Sequence, residues 1–293
     1  DLGNKTIITA SLKKKRPEDS EWVRYLLTTM ALGVVFLIIG IPVFHVFFRA
    51  FEKGPMVYLD NLFGNPNTRH SIFLTLSIAP RVVFLSVVFG VSAAWAIARF
   101  RFPGRTILLT LMDLPLAVSP VVAGLVFVLI FGMQGWMGEW LSANNMQILF
   151  GTPSLVLATC FVTLPYVVRE LIPVLETYGE EEELAAVSLG ANGWQMFWRI
   201  TMPNIRLALV YGIILCNARA MGEFGAVYVV SGRISGLNDT MPLRVEKLFQ
   251  EYDMPAAFAL ASVLTFLALV TLGVKTYLEK SMAHQKADAG EST

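Results

Sequence analysis

"LAAVSLGANGWQMFWRITMP" occupies residues 184–203 and lies between two long apolar runs without resembling either. Its glycines and polar residues do not suit hydrocarbon. Yet Trp194, Met196, Phe197, Trp198 and Met202 give it more apolar surface than a solvated linker carries. Locally it reads as two short helices about a turn. The acidic residues at 180–183 suit a helix N-terminus, where negative charge meets the positive end of the dipole, and they read as a solvated first turn. Gly190 supplies a C-terminal stop. Asn192 caps a second helix, which Pro203 interrupts or redirects. On that helix Trp194, Phe197 and Trp198 stand at i, i+3 and i+4 and share a face. Chemistry alone leaves two readings of this face: an aromatic belt packed against the protein's own helices, or a knob for a groove on a soluble partner.

The flanking runs decide where the segment lies. The chain has 293 residues, 55% hydrophobic and only 15% charged, with a mean hydropathy of +0.59; soluble domains carry about 25% charged residues. Apolar stretches long enough to cross roughly 30 Å of hydrocarbon recur along it, so we read an integral membrane protein. Six helical spans are expected, near 25–48, 72–98, 106–131, 153–176, 206–230 and 254–275. Pro80 and Arg81 interrupt the second, and Pro115, Pro120, Pro165 and Pro173 offer further bends. The first run is too long for a signal-peptide core and is followed by no small-residue cleavage site, so it is expected to be retained.

Lys and Arg outside the spans number fourteen on one side and six on the other. The excess side is the cytoplasmic one, which places both termini and the 184–203 segment in the cytosol. Residues 1–24 and 281–293 are expected to be polar cytosolic tails, the latter mobile, around a membrane domain spanning 25–280. Cys160 and Cys216 fall inside spans and read as reduced, buried thiols. No Gly-Lys dipeptide is present, so no phosphate-cradling loop can form. His45, His70 and His284 are scattered, which argues against a zinc site. No basic stretch interleaved with aromatics suggests nucleic acid. A catalytic site in this chain is therefore not expected, nor a bound cofactor or metal.

The 184–203 spacing resembles the EAA coupling loop of binding-protein-dependent ABC importer permeases. That pattern is Glu-Ala-Ala, three residues, Gly, nine residues, Ile, one residue, Leu-Pro. Ala185, Ala186, Gly190, Ile200 and Pro203 fall on it, whereas Leu184 stands at the usual glutamate and Met202 at the usual leucine. Whether Glu183, one residue earlier, takes over that glutamate's salt bridge is left open by the sequence. In such permeases the loop, here 178–203, docks into a cleft of the ATPase subunit and transmits its closure to the membrane helices. The resemblance thus implies coupling roles for Glu183, Leu184, Ala185, Ala186, Gly190, Trp194, Phe197, Ile200 and Pro203.

Four longer stretches narrow the resemblance: "FPGRTILLTLMDLPLAVSPVVAGLVF" (102–127), "FVTLPYVVRELIPVL" (161–175), "GANGWQMFWRITMPNIRLALVYG" (190–212) and "NARAMGEFGAVYVVSG" (217–232). They look like sulfate/thiosulfate importer permeases, most of all the W-type membrane subunit, over about residues 25–280. This implies an all-α integral membrane protein with six transmembrane helices in the type I, molybdate/sulfate-like ABC importer permease fold, with a cytosolic coupling helix. It implies a T-type permease as heterodimeric partner, two ATPase subunits that bind ATP and Mg, and an external sulfate-binding protein. It also implies a bacterial-type inner membrane.

Arg81, Arg169, Glu170, Arg219 and Glu223 stand inside apolar runs, where each costs about 2.5–3.5 kcal/mol on insertion scales. Arg219 and Glu223 are four apart on span five, on one helical face and within pairing reach. Gly222 and Gly225 permit close approach or bending, and with Phe224 they complete a candidate pathway or gate segment. Its alternative is a salt bridge that only holds helices together. Arg169 and Glu170 face opposite sides of span four and read first as structural charges, with the pathway or the coupling loop as their alternative. Arg81 snorkels at the outer interface. A molybdate-type permease is the neighbouring alternative. An ion-coupled secondary anion transporter is the one of a different class, and it predicts discontinuous helices at the midplane.

Overall fold

The computed structural model describes residues 21–290, with side chains over 22–280. Most of the expected N-terminal tail and the last three residues lie outside that range. Among the described residues all regular structure is helical. The chain divides into a unit ending at Phe48 and a larger one beginning at Arg49. The first is carried by α1 (Trp22–Phe51), an apolar helix relaxed by a π turn at Phe36–Gly40. Its apolar residues through Phe48 are almost all exposed, as suits a helix solvated by lipid or by another chain.

The larger unit begins with α2 (Pro55–Leu59), which runs into a π turn at Asp60–Gly64. Then come α3 (Pro66–Arg99), α4 (Arg105–Ala117), α5 (Pro120–Phe131), α6 (Gly138–Ala143), α7 (Thr152–Tyr178) and α8 (Glu181–Ser188). They are followed by α9 (Gly193–Met221), α10 (Gly225–Val230), α11 (Met241–Gln250) and α12 (Met254–Gly290). The last continues well past the expected end near 275, through most of the stretch expected to be a tail.

Helices α3, α7 and α9 form the core of this unit. Lipid offers no hydrophobic drive between helices, so close packing and interhelical hydrogen bonds must hold them. A Cβ on Gly90 of α3 would come within 2.8 Å of Val167 Cγ1, and one on Gly212 of α9 within 3.2 Å of Val167 Cα. Two glycines thus let α3 and α9 close on the same residue of α7. One turn away, the Ser86 and Thr163 hydroxyls lie 3.3 Å apart and Ser86 Oγ is 3.6 Å from Cys160 Sγ. Both cysteines are free thiols, Cys216 fully buried.

Two expected spans are corrected. Residues 106–131 are not one helix: α4 and α5 meet at a 114° bend. Pro120 disfavours the helical region for Ser119, which takes φ −59°, ψ 134° and becomes the cap of a new helix. Of the other prolines, Pro80, Pro115, Pro165 and Pro173 remain inside helices. Residues 206–230 are also not one span. The helix starts at Gly193, in the loop itself, and stops at Met221; α10 is separate. Pro203 therefore does not break it. The π turn at Phe197–Thr201 precedes that proline and absorbs its missing donor.

Candidate functional site

The 184–203 segment is built as two helices around a left-handed glycine. Gly190 has φ +89° with no atom within 4 Å of where a Cβ would stand, so conformation rather than space requires glycine there. Asn192 and Gln195 form a reciprocal capping box, with Oδ1 accepting from Gln195 N at 2.8 Å and Asn192 N donating to Gln195 Oε1 at 3.1 Å.

Glu183 does not belong to a solvated first turn, as the sequence suggested. Its side chain is buried, and Arg99 donates to both oxygens, Nε to Oε2 at 2.8 Å and Nη2 to Oε1 at 3.1 Å. Thr201 Oγ1 adds a third bond at 2.8 Å, from the π turn of α9. The remaining Arg99 nitrogen, Nη1, donates to Leu175 O at 2.8 Å, near the end of α7. One fork–fork pair therefore ties α3, α7, α8 and α9 together at one end of the bundle. Nearby, Arg105 donates to Ile97 O at 2.7 Å and to Glu176 Oε1 at 3.0 Å, fixing the α3–α4 turn on α7. Arg99 carried no weight in the sequence reading, where it served only to set topology; its side chain's partners are visible only in three dimensions.

Outside this clamp the loop presents apolar surface. Leu184, Val187, Leu189, Trp194 and Trp198 are exposed, Leu189 to 90% and Trp194 to 71%. Trp194, Phe197 and Trp198 do touch one another. The ring of Phe197, however, turns inward and packs edge-on to Trp95 of α3 at 5.8 Å. Ala185 and Pro203 are exposed, while Ala186 and Ile200 are half-buried.

The second candidate site is the break between α9 and α10. Arg219 Nη1 lies 2.9 Å from Glu223 Oε2, as expected of the pair, but Glu223 is beyond the helix end at Gly222. Its other oxygen accepts from Ala226 N at 3.0 Å, in the first turn of α10. The pair thus sets a cation at the negative end of one helix and a carboxylate at the positive end of the next. Oε2 itself makes no aligned hydrogen bond, although the residue is 2% exposed. Against this break lies the other one: a Cβ on Gly225 would meet Pro120 Cβ at 2.9 Å, and one on Gly124 would meet Val229 Cβ at 2.8 Å. The bent pair α4/α5 and the broken pair α9/α10 are therefore in direct contact. Phe224 is partly exposed beside them.

The other intramembrane charges are dispersed. Arg169 Nε donates to Asp113 Oδ1 of α4 at 2.9 Å. Asp113 is missing from the charges singled out in the sequence, although an aspartate inside "TLMDLP" was a visible signal. Glu170 faces Lys275 of α12, whose ammonium lies 5.0 Å over the Tyr211 ring. Arg81 is exposed on α3. Among the described residues no cluster of metal-ligating side chains occurs.

Residues 86–284 match the profile of the binding-protein-dependent transport system inner membrane component family. The chain is 48% identical over 278 residues to the sulfate transport system permease protein CysW of Escherichia coli K12, covering 95% of each chain. It is 49% identical over 265 residues to the CysW protein of Synechocystis, covering 90% of this chain and 96% of that one. The sulfate transport system permease protein CysT of Escherichia coli is 37% identical over 248 residues, 83% of this chain and 89% of the relative. A chain of the bacterial alginate ABC transporter crystallised with its alginate-bound periplasmic protein shares the fold. Its TM-score is 0.71 at 16% identity, covering 88% of this chain and 93% of that chain.

Proposed function

The chain belongs to the binding-protein-dependent transport system inner membrane component family, and from that we infer that it is the W-type membrane subunit of an ATP-driven sulfate and thiosulfate importer. In this reading it contributes half of the translocation pathway and pairs with a T-type permease. Two ATPase subunits hold ATP and Mg, and an external sulfate-binding protein delivers the anion. Both termini and the 184–203 segment face the cytoplasm.

The observation that carries this reading is the Arg99–Glu183 clamp beneath an exposed apolar patch. A patch built from Leu184, Val187, Leu189 and Trp194 suits a groove on a soluble partner. A buried bidentate pair is the kind of joint that passes that partner's movement to α3, α7 and α9 without slack. Removing one member of such a pair costs about 3–5 kcal/mol, because the other is left buried and unpaired. Movement then reaches α9, and the glycine-lined contact between the two helix breaks is where the bundle can rearrange. Arg219, partly exposed beside it, supplies positive charge for a passing dianion. Discontinuous helices also fit an ion-coupled transporter, but that alternative gives the clamped, exposed apolar patch no role.

The deciding experiment is co-purification of the chain with its partner subunits, followed by ATP hydrolysis with and without sulfate-loaded binding protein. Stimulation is expected. Recovery of the chain in a complex without an ATPase, or labelling of residues 184–203 from outside the cell, would reject the assignment. Two single variants separate docking from packing. Trp194→Ala is expected to weaken ATPase association with little change in thermal stability. Phe197→Ala removes an aromatic packed on Trp95, and is expected to lower stability by about 2–4 kcal/mol. Arg219→Gln is expected to reduce sulfate uptake at least tenfold while the complex still assembles; unchanged uptake would remove Arg219 from the pathway.

A further inference from the structure

The chain between α5 and α7 folds back on the end of α5. Gly132 N donates to Val128 O at 2.8 Å, Trp136 N to Leu129 O at 3.2 Å and Met137 N to Ile130 O at 2.9 Å. Three of the last four carbonyls of α5 are thus closed by backbone donors of the chain itself rather than by water. The wrap is tight. A Cβ on Gly135 would stand 2.4 Å from Leu129 O, and one on Gly138 2.3 Å from Gly132 O, both of them backbone atoms. The end of α6 is closed in the same way, with Met146 N donating to Leu141 O at 2.9 Å. Leu141 is the buried residue of that short helix.

The largest side chains that this wrap turns outward are apolar. Trp136 is 94% exposed, Met133 88% and Trp140 57%. Glu139 is the only charge in residues 132–151. A segment that satisfies its own backbone and carries almost no charge meets the condition for entering a layer of low dielectric. Its height fits as well. Leu175, which accepts from Arg99 at the clamp, lies 23 residues along α7 from Thr152, about 35 Å at 1.5 Å per residue. Hydrocarbon is roughly 30 Å thick. With the clamp at one face of the membrane, residues 132–151 therefore stand at the other, in the interfacial zone where tryptophan concentrates.

We propose that Met133, Trp136 and Trp140 form a foot seated at the boundary between lipid headgroups and acyl chains, so that the partner of this surface is the bilayer itself. Only its assignment to the outer leaflet rests on the function proposed above. A soluble binding protein comes and goes, and between visits it would leave these side chains in water; lipid covers them throughout. With one carboxylate and no cation in residues 132–151, the foot gains nothing from anionic headgroups, and a neutral phosphatidylcholine surface suffices. The foot also has a place in the bundle. It ends α5, whose Gly124 lies against Ala226 and Val229 of α10, so seating it in the interface fixes the depth of one wall of that contact.

The test uses the assembled complex in phosphatidylcholine nanodiscs. Nitroxide labels are placed at Met133→Cys, Trp136→Cys and, on the opposite side of α6 from Trp140, Ser142→Cys, with the unsubstituted complex labelled alike as blank. Collision rates with oxygen, which partitions into lipid, and with a water-soluble nickel chelate are then compared. The oxygen-to-nickel ratio is expected to be at least threefold higher at 133 and 136 than at 142. A ratio at 133 and 136 equal to that at 142 places the loop in water and overturns the proposal, whether or not added binding protein then shields it. Low rates with both reagents mean cover by another protein chain and overturn it too. If Trp136→Cys does not assemble, Met133→Cys decides together with quenching by lipids brominated near the headgroup. Such lipids should quench wild-type tryptophan fluorescence more than that of the double variant Trp136→Phe, Trp140→Phe, and equal fractional quenching counts against the foot. Sidedness is read separately with an impermeant thiol reagent on cells carrying Ser142→Cys. Reaction from outside supports the outer leaflet. Reaction only from the cytoplasmic face overturns that assignment and the orientation proposed above, while a high oxygen-to-nickel ratio would still keep the foot in lipid.

Discussion

Arg99→Ala is expected to abolish coupled sulfate uptake while leaving the ATPase subunits able to hydrolyse ATP. The substitution strands the Glu183 carboxylate in a buried position where it accepted three side-chain hydrogen bonds, two of them from Arg99. Loss of one partner of a buried pair costs about 3–5 kcal/mol, a large share of the roughly 5–15 kcal/mol that holds a typical domain folded. It also frees Leu175 O and unties α8 from α3 and α7. Purified chain should therefore melt earlier, and reconstituted complex should lose the stimulation of ATP hydrolysis by loaded binding protein. The double substitution Arg99→Met with Glu183→Met separates fold from coupling. Replacing both charges by apolar groups of similar volume is often neutral or stabilising, so stability should return in the double variant while the geometric lock on Thr201 does not. Wild-type melting and wild-type uptake in Arg99→Ala together would show that the clamp transmits nothing.

Gly124→Val is expected to give the second large effect, at the contact between the two helix breaks. Any Cβ there meets Val229 Cβ at 2.8 Å and Ala226 O at 2.9 Å, and the second of these is backbone. A carbonyl cannot swing aside as a side chain can, so α5 and α10 must separate. Overpacking of this kind costs about 1–3 kcal/mol. The functional loss should exceed the loss in stability, because the displaced helices include the segment beside Arg219 and Glu223. Uptake should fall at least tenfold with the ATPase still bound. Gly225→Ala, which brings a Cβ to 2.9 Å from Pro120, should show a milder version. Gly33→Ala, with nothing within 4 Å, should be neutral or slightly stabilising. Equal uptake in all three would mean that this glycine-lined contact does not move or position anything required for transport.

What could be read from residues alone followed from signals that are local or periodic. Apolar runs longer than a bilayer is thick announced the membrane, and the Ala185, Ala186 and Gly190 spacing with the Asn192 cap announced the loop. The pairing of Arg219 with Glu223 was legible from their spacing of four, although the structure makes it across the end of α9 and not along one helical face. The breaks were harder. Ser119 precedes a proline, a sign visible in "VSP", yet a proline inside a span is as often absorbed as not, and Pro80, Pro115, Pro165 and Pro173 are absorbed here. Only packing distinguishes them: Pro120 starts a helix whose next turns lie against Gly225 and Ala226.

The sequence by itself determined that this chain is a bundle of membrane-crossing helices with one apolar-faced loop between two of them, because length, hydropathy and short-range spacing are properties of neighbouring residues. It could not decide that Glu183, not the residue at the usual position, meets Arg99, nor that Phe197 turns inward while Trp194 stays out. Nor could it show that Asp113 answers Arg169. Those choices join residues 56 to 102 positions apart. They exist only once α3, α7 and α9 have closed on one another and the loss of water has made each unpaired charge expensive.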